Sequence, residues 1–239
     1  MKILRLDTTY VPTRTAGERA IIFDLDNTLY TNPPYAAFQE KALIARLGRE
    51  LGFGEEVAAQ RIAQMRGERK AAGIPPTSLG NLFVQLGIDM ATNVRWREEC
   101  IDPSAWLARD ERLDRTLERL APHFRLALVS NNPGRVVEKS LSALGVQRHF
   151  GVIVGLDDTF KSKPEPDAFV LALRRLKLKA GHCLSIGDRM DVDITPALEL
   201  GMDGILVDGV EDVYCLPELL IQDHARARHL QDAADPLSS

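Results

Sequence analysis

The chain has 239 residues, of which 45% are hydrophobic and 27% charged, and a formal net charge of -4. That length accommodates a core domain carrying one further module, because single cores span about 100 to 200 residues, and the apolar fraction is enough to bury a core without disulfides. The acidic balance argues against a binder of nucleic-acid polymers, which needs a strongly basic face, and no window approaches the roughly 18 apolar residues of a membrane span.

The opening residues lack the apolar stretch of a secretory leader. Cys100, Cys183 and Cys215 are widely spaced, with no CxxC pair and no zinc-like spacing. Together these features predict a cytoplasmic protein with reduced cysteines. Five short, continuously apolar runs predict buried parallel strands: residues 20–23, 126–129, 152–154, 183–186 and 205–207. Helical patterns separate the later ones, at 136–144 closed by Gly145, at 167–176, and at 195–200 closed by Gly201. The alternation predicts an α/β fold with a doubly wound parallel sheet.

One interval breaks the rhythm. About ninety residues, from 31 to 121, lie between the first two strands, whereas a simple parallel crossover needs a dozen or so. Phe38, Leu43, Leu47 and Leu51 recur at helical spacing, followed by patterns at 57–65 and 79–86. This predicts an inserted helical cap, placed at 31–115, with the core formed by 1–30 and 116–239. The polar tail, 217–239, predicts a helix to residue 229 and a disordered end at 235–239.

In open α/β sheets ligands bind beyond the carboxyl ends of the strands, and here those ends carry chemistry. The first strand runs into Asp24-Leu25-Asp26-Asn27-Thr28, and residues two apart on an extended chain point the same way. Two carboxylates that close repel, so they need a cation between them or a proton on one. After the second strand come Ser130 and Asn131 ahead of a helix start, a hydroxyl and amides suited to a phosphoryl oxygen. Lys163, before Pro164, offers a fixed positive charge after the third strand. Gly187-Asp188-Arg189-Met190-Asp191-Val192-Asp193 follows the fourth, an acidic turn suited to a hard, oxygen-liganded cation.

The order DxDxT, Ser, Lys-Pro and GDxxxxD, spread over residues 18–208, resembles the four motifs of the haloacid dehalogenase superfamily. The resemblance implies a Rossmann-like core, with the helical cap between the first two motifs. It implies that Asp24 is the nucleophile forming an aspartyl-phosphate, that Asp26 is the general acid and base, and that Lys163 serves catalysis and phosphate binding. Ser130 and Asn131 then hold the phosphate. Asp24, the Asp26 carbonyl and Asp188 take magnesium, and Thr28 and Asp193 support them. Asp191 competes with Asp193 for the last acid of the fourth motif; Asp193 is favoured, and Asp191 is read as an exposed turn residue.

Within the superfamily, a second aspartate suits a leaving oxygen that must be protonated, which favours a phosphatase over a dehalogenase. A phosphomutase would share every core residue. A non-catalytic metabolite-binding protein would gain nothing from a nucleophile beside an acid. Phe23 to Tyr30 and Ile101-Asp102-Pro103 are similar to the pyrimidine 5'-nucleotidase branch, implying a nucleoside 5'-monophosphate. Residues 69–77 stand where that branch has a tyrosine-rich segment and contain no tyrosine, which brings in sugar phosphates and phosphoglycolate as alternatives. The expected partner is therefore a small phosphorylated metabolite, acted on by a monomer or homodimer. Trp96, Trp106, His149 and His182 are read as structural, and Arg66, Arg69 and Lys70 as a solvated helix face with one member able to turn toward the cleft.

Overall fold

The computed structural model describes residues 1–4 and 18–221. Its sheet contains β1 (Lys2–Leu4), β2 (Ala20–Phe23), β3 (Arg125–Val129), β4 (Phe150–Val154), β5 (Cys183–Gly187) and β6 (Asp203–Leu206) in the order β1-β6-β5-β2-β3-β4. All neighbours are parallel except β1, which runs antiparallel along β6. Each of the five expected strands is present within about three residues of its predicted ends. The short edge strand β1 was not expected, because three residues are too few for a periodic signal.

Side chains of β2 alternate between two buried layers. Ile21 and Phe23 join Leu128, Ile186 and the helices on one face, while Ala20 and Ile22 join Ala127, Val129 and Phe169 on the other. A strand buried on both faces reads as unbroken hydrophobicity. The helices of the core are α5 (Glu111–Leu120), α6 (Gly134–Leu144), α7 (Leu156–Thr159), α8 (Asp167–Leu176), α9 (Thr195–Glu199) and α10 (Val210–Val213).

Four helices separate β2 from α5: α1 (Pro33–Glu50), α2 (Glu55–Ala71), α3 (Leu79–Gln85) and α4 (Met90–Cys100). Their starts follow local capping chemistry. The side chains of Asn32, Ser78 and Asp89 accept the N–H groups of Tyr35, Asn81 and Thr92, satisfying amides that the first helical turn leaves without partners. Helix α5 runs unbroken from Glu111 to Leu120, so the expected boundary between residues 115 and 116 falls inside it. Trp96 packs edge-on against Phe83, while Trp106 stacks on Tyr35 and lies tilted against Phe38.

The tail expected at 217–239 is described only to residue 221, within a helical turn at 216–221; the rest of the expected helix and the end at 235–239 lie outside the described residues. Among the described residues, no helix is long and apolar enough to cross a membrane.

The central strands are in register at their carboxyl ends. Phe23 is level with Leu128 and with Ile186, so the residues that follow all three strands emerge together. The Asp24 N–H extends the ladder by donating to the Ile186 carbonyl at 2.8 Å.

Candidate active site

The side chain at the centre of this edge is Lys163, almost wholly enclosed at 1% exposure. Its Nζ donates to Asp24 Oδ1 at 2.6 Å, to Asp193 Oδ1 at 2.6 Å and to the Val129 carbonyl at 3.0 Å. An ammonium has three protons, and here each has an acceptor. Burial is the largest influence on Lys163 and works to lower its pKa, but Asp193 and Asp24 outweigh it and leave the pKa raised. The group is a fixed cation. Asn131 sets its backbone, accepting the Lys163 N–H at 2.7 Å and donating to its carbonyl at 3.1 Å.

Asp193 is held from several directions. Its Oδ2 accepts the Arg189 N–H, its carbonyl accepts the Ser185 hydroxyl, and the chain passes it closely at Gly187, where a Cβ would stand 2.4 Å from the Asp193 Cβ. Thr28 is fully buried and its hydroxyl faces Asp24 Oδ2 at 3.4 Å. Ser130 is buried, and its oxygen accepts the Asn132 N–H at 3.0 Å, which leaves its own proton available to donate.

Asp26 faces away from this charge cluster. Oδ1 accepts the Tyr30 hydroxyl at 2.5 Å and the Gln39 amide at 3.0 Å, and Oδ2 accepts the Asn132 amide at 2.9 Å. Burial above all, with Asp26 next, drives the Tyr30 hydroxyl far above its ordinary range, so it remains a neutral donor. Asn132 in turn accepts from Arg97 Nη1 at 2.8 Å. Burial pushes the Arg97 guanidinium down to about 10, which still leaves it charged at neutral pH.

A cleft of about 240 Å³ runs between these two groups, lined among others by Asp24, Asp26, Gln39, Arg97, Asp188 and Arg189. Carboxylate oxygens of Asp24, Asp188 and Asp193 lie within 4.8 Å of one another. Burial above all drives the Asp24 carboxyl well above the carboxylate range; Lys163 pulls it back, and Asp193, Asp26 and Asp188 push it up again. Burial, then Asp193, pushes Asp188 up to about 6 against Arg189 and Lys163. Three crowded carboxylates share one ammonium, and oxygen donors with excess negative charge fit a hard divalent cation. Asp24 and Asp188 line the cleft whereas Asp193 lies beneath it, which makes Asp24 and Asp188 the side chains most open to an ion. The Asp26 carboxylate is engaged elsewhere, by Tyr30, Gln39 and Asn132.

The Asn131 side chain bonds both backbone groups of Lys163. One expectation needs correction. Asp191 is not an exposed turn residue but half-buried, with one oxygen enclosed and unpartnered. Asp193, as favoured, is the acid on Lys163. Lys161 is exposed and pairs with Asp167. Arg66 does line the cleft while pairing with Glu40, and Arg69 donates to the Pro75 carbonyl. His149 contacts Asp114 and His182 contacts the Glu18 carbonyl, both remote from the cleft.

Tyr30, Gln39, Asn132 and Arg97 were not singled out by the sequence. Tyr30 had a local signal, four residues beyond Asp26. Gln39 and Arg97 had none, since they reach the site from α1 and α4 through the tertiary fold.

Residues 18–201 match the family of haloacid dehalogenase-like hydrolases. Phosphoglycolate phosphatase of Pectobacterium atrosepticum is 29% identical over 191 residues, covering 75% of this chain and 76% of that protein. Ribulose-1,5-bisphosphate 5-phosphatase of Halopiger xanaduensis is 27% identical over 206 residues, covering 81% and 86%. Among solved structures, a HAD phosphatase from Thermococcus onnurineus superposes with a TM-score of 0.51 at 21% identity over 79% of this chain and 86% of that one, a likeness of fold.

Proposed function

Because the chain belongs to the haloacid dehalogenase-like hydrolases and is a phosphoric monoester hydrolase, we propose that it cleaves small phosphomonoesters through an aspartyl-phosphate on Asp24, with magnesium as its cofactor. The observation that carries this reading is the contrast between two carboxylates two residues apart: Asp24 held against a buried ammonium, and Asp26 held by uncharged donors.

In this mechanism an Asp24 oxygen attacks phosphorus, the bond from phosphorus to the ester oxygen breaks, and Asp26 in its protonated form gives its proton to the departing alcohol. Asp26 then takes a proton from water as that water attacks the phosphorus of the aspartyl-phosphate. Phosphate leaves and Asp24 is restored. The Ser130 hydroxyl donates to the phosphoryl oxygens, and Lys163, its protons engaged with Asp24, Asp193 and the Val129 carbonyl, attracts them through its charge. Asp24, Asp188 and the Asp26 carbonyl would hold magnesium, which when bound supplies positive charge opposite the phosphoryl oxygens.

We read α1 to α4 as the cap, delivering Gln39, Arg66 and Arg97 to the cleft. A cleft of about 240 Å³ lies below the range of about 300 to 1,000 Å³ usual for drug-sized ligands. That size and the names of the relatives support short phosphorylated acids and sugars, phosphoglycolate among them, ahead of nucleoside 5'-monophosphates.

The test is phosphate release from phosphoglycolate, sugar phosphates and nucleoside monophosphates, with magnesium or EDTA, by the wild type and Asp24→Asn. Expected are magnesium-dependent turnover of the short substrates and its loss, by roughly a thousandfold or more, in Asp24→Asn. A folded wild type inert to the whole panel would sink the proposal.

A further inference from the structure

Arg97 is a cation with too few partners. It is 9% exposed, and the bond from Nη1 is to a neutral amide oxygen, that of Asn132. Its Nε is enclosed with no partner at all. Among the described residues, no carboxylate forms an ion pair with it. Removing a charge from water is costly unless a counter-charge is supplied, and Lys163, the other buried cation of the site, has two. Arg97 borders the cleft, joined through Asn132 to Asp26.

We propose that Arg97 forms a subsite for a carboxylate carried by the leaving group of the substrate. The inference rests on the phosphatase reading. If Asp26 protonates the departing oxygen, the carbon on that oxygen lies on the Asp26 side of the cleft, where Arg97 is waiting. A guanidinium presents its N–H groups in a planar fork that matches a carboxylate. The substrate would thus be anionic at both ends, its phosphate at Lys163 and its carboxylate at Arg97. A structural latch between α4 and the core would also engage Asn132, but it has no need of a charge, and a neutral donor would serve as well.

The experiment compares 2-phosphoglycolate with 2-hydroxyethyl phosphate, which replaces the carboxylate by an alcohol, using the full chain with magnesium and p-nitrophenyl phosphate as a third substrate. The wild type should prefer the carboxylate ester by about 100-fold in kcat/KM, the scale of one or two charged hydrogen bonds. In Arg97→Gln, which keeps a donor for Asn132, the preference should collapse toward one, mainly through the KM of the carboxylate ester. Arg97→Lys, which keeps the charge and serves where Arg97→Gln fails to fold, should retain part of the preference. A wild type without preference, or an Arg97→Gln that slows both esters by the same factor, overturns the subsite. Turnover of none of the three substrates overturns the phosphatase reading and the subsite with it.

Discussion

Asp24 and Asp26 leave the same strand end two residues apart, and their surroundings differ in kind. Around Asp24 the fold places charges: the Lys163 ammonium, and the carboxylates of Asp193 and Asp188. Around Asp26 it places a phenol and two amides, all uncharged donors. The buried ammonium orients the Asp24 carboxylate and offsets part of the burial that raises its pKa. The Asp26 carboxylate is oriented by neutral donors alone. In the proposed mechanism these neighbouring positions do different work, nucleophile and proton carrier, in surroundings that differ in kind.

The sharpest way to break this comparison is to remove the charge from the charged half. Lys163→Met leaves Asp24 and Asp193 buried, facing each other and unpaired, and breaking a buried pair costs about 3 to 5 kcal/mol. Urea unfolding at pH 7 in EDTA should show a loss on that scale, with phosphatase activity gone. A loss below about 1 kcal/mol would mean that the cluster is not held by charge.

The same half predicts a substitution that helps stability while harming function. Burial, and behind it crowding by Asp193, raises Asp188 to about 6 in the folded chain, against about 3.9 unfolded, so the fold favours the protonated acid. The stability it contributes is full below about pH 4 and is lost as pH rises through about 6. Asp188→Asn carries no such loss. In EDTA at pH 7 it should be more stable than the wild type by about 1 kcal/mol, a figure discounted for partial exposure, and it should lose magnesium-dependent turnover. The gap should open between pH 4 and 6 in parallel chemical-denaturation series; a gap of the opposite sign at pH 7 would contradict the crowding.

The charged half was legible in the sequence because each of its members lies at or after the carboxyl end of a strand, and parallel strands in register bring successive ends to one edge. Asp24, Ser130, Lys163, Asp188 and Asp193 therefore announce themselves by order along the chain. Even there, what a side chain does with its spare atoms was not readable: Asn131 turned to the Lys163 backbone, and Asp191 was half-buried. The half around Asp26 was mostly hidden. Gln39 lies 13 residues and Arg97 71 residues beyond Asp26 in the sequence, and a lone glutamine or arginine on a helix carries no mark of where that helix docks. The helices themselves could be read from apolar spacing and caps, but the direction in which α1 and α4 present their polar side chains depends on how they pack against the core.

The uncharged half is probed most gently by Gln39→Leu, which keeps the size of the side chain and deletes one donor to Asp26. Tyr30 and Asn132 still hold both carboxylate oxygens, so no charge is orphaned, and the expected cost in stability is about 1 kcal/mol, the typical net worth of one hydrogen bond. The effect on catalysis follows from orientation: with Oδ1 held by one donor fewer, Asp26 meets the leaving oxygen less often in a productive position. We expect kcat to fall by about tenfold, or about 1.4 kcal/mol in the barrier, with KM little changed. Steady-state kinetics on phosphoglycolate separate this from a direct contact between Gln39 and the substrate, which would raise KM and spare kcat. If KM moves and kcat does not, Gln39 belongs to substrate binding, and the support of Asp26 reduces to Tyr30 and Asn132.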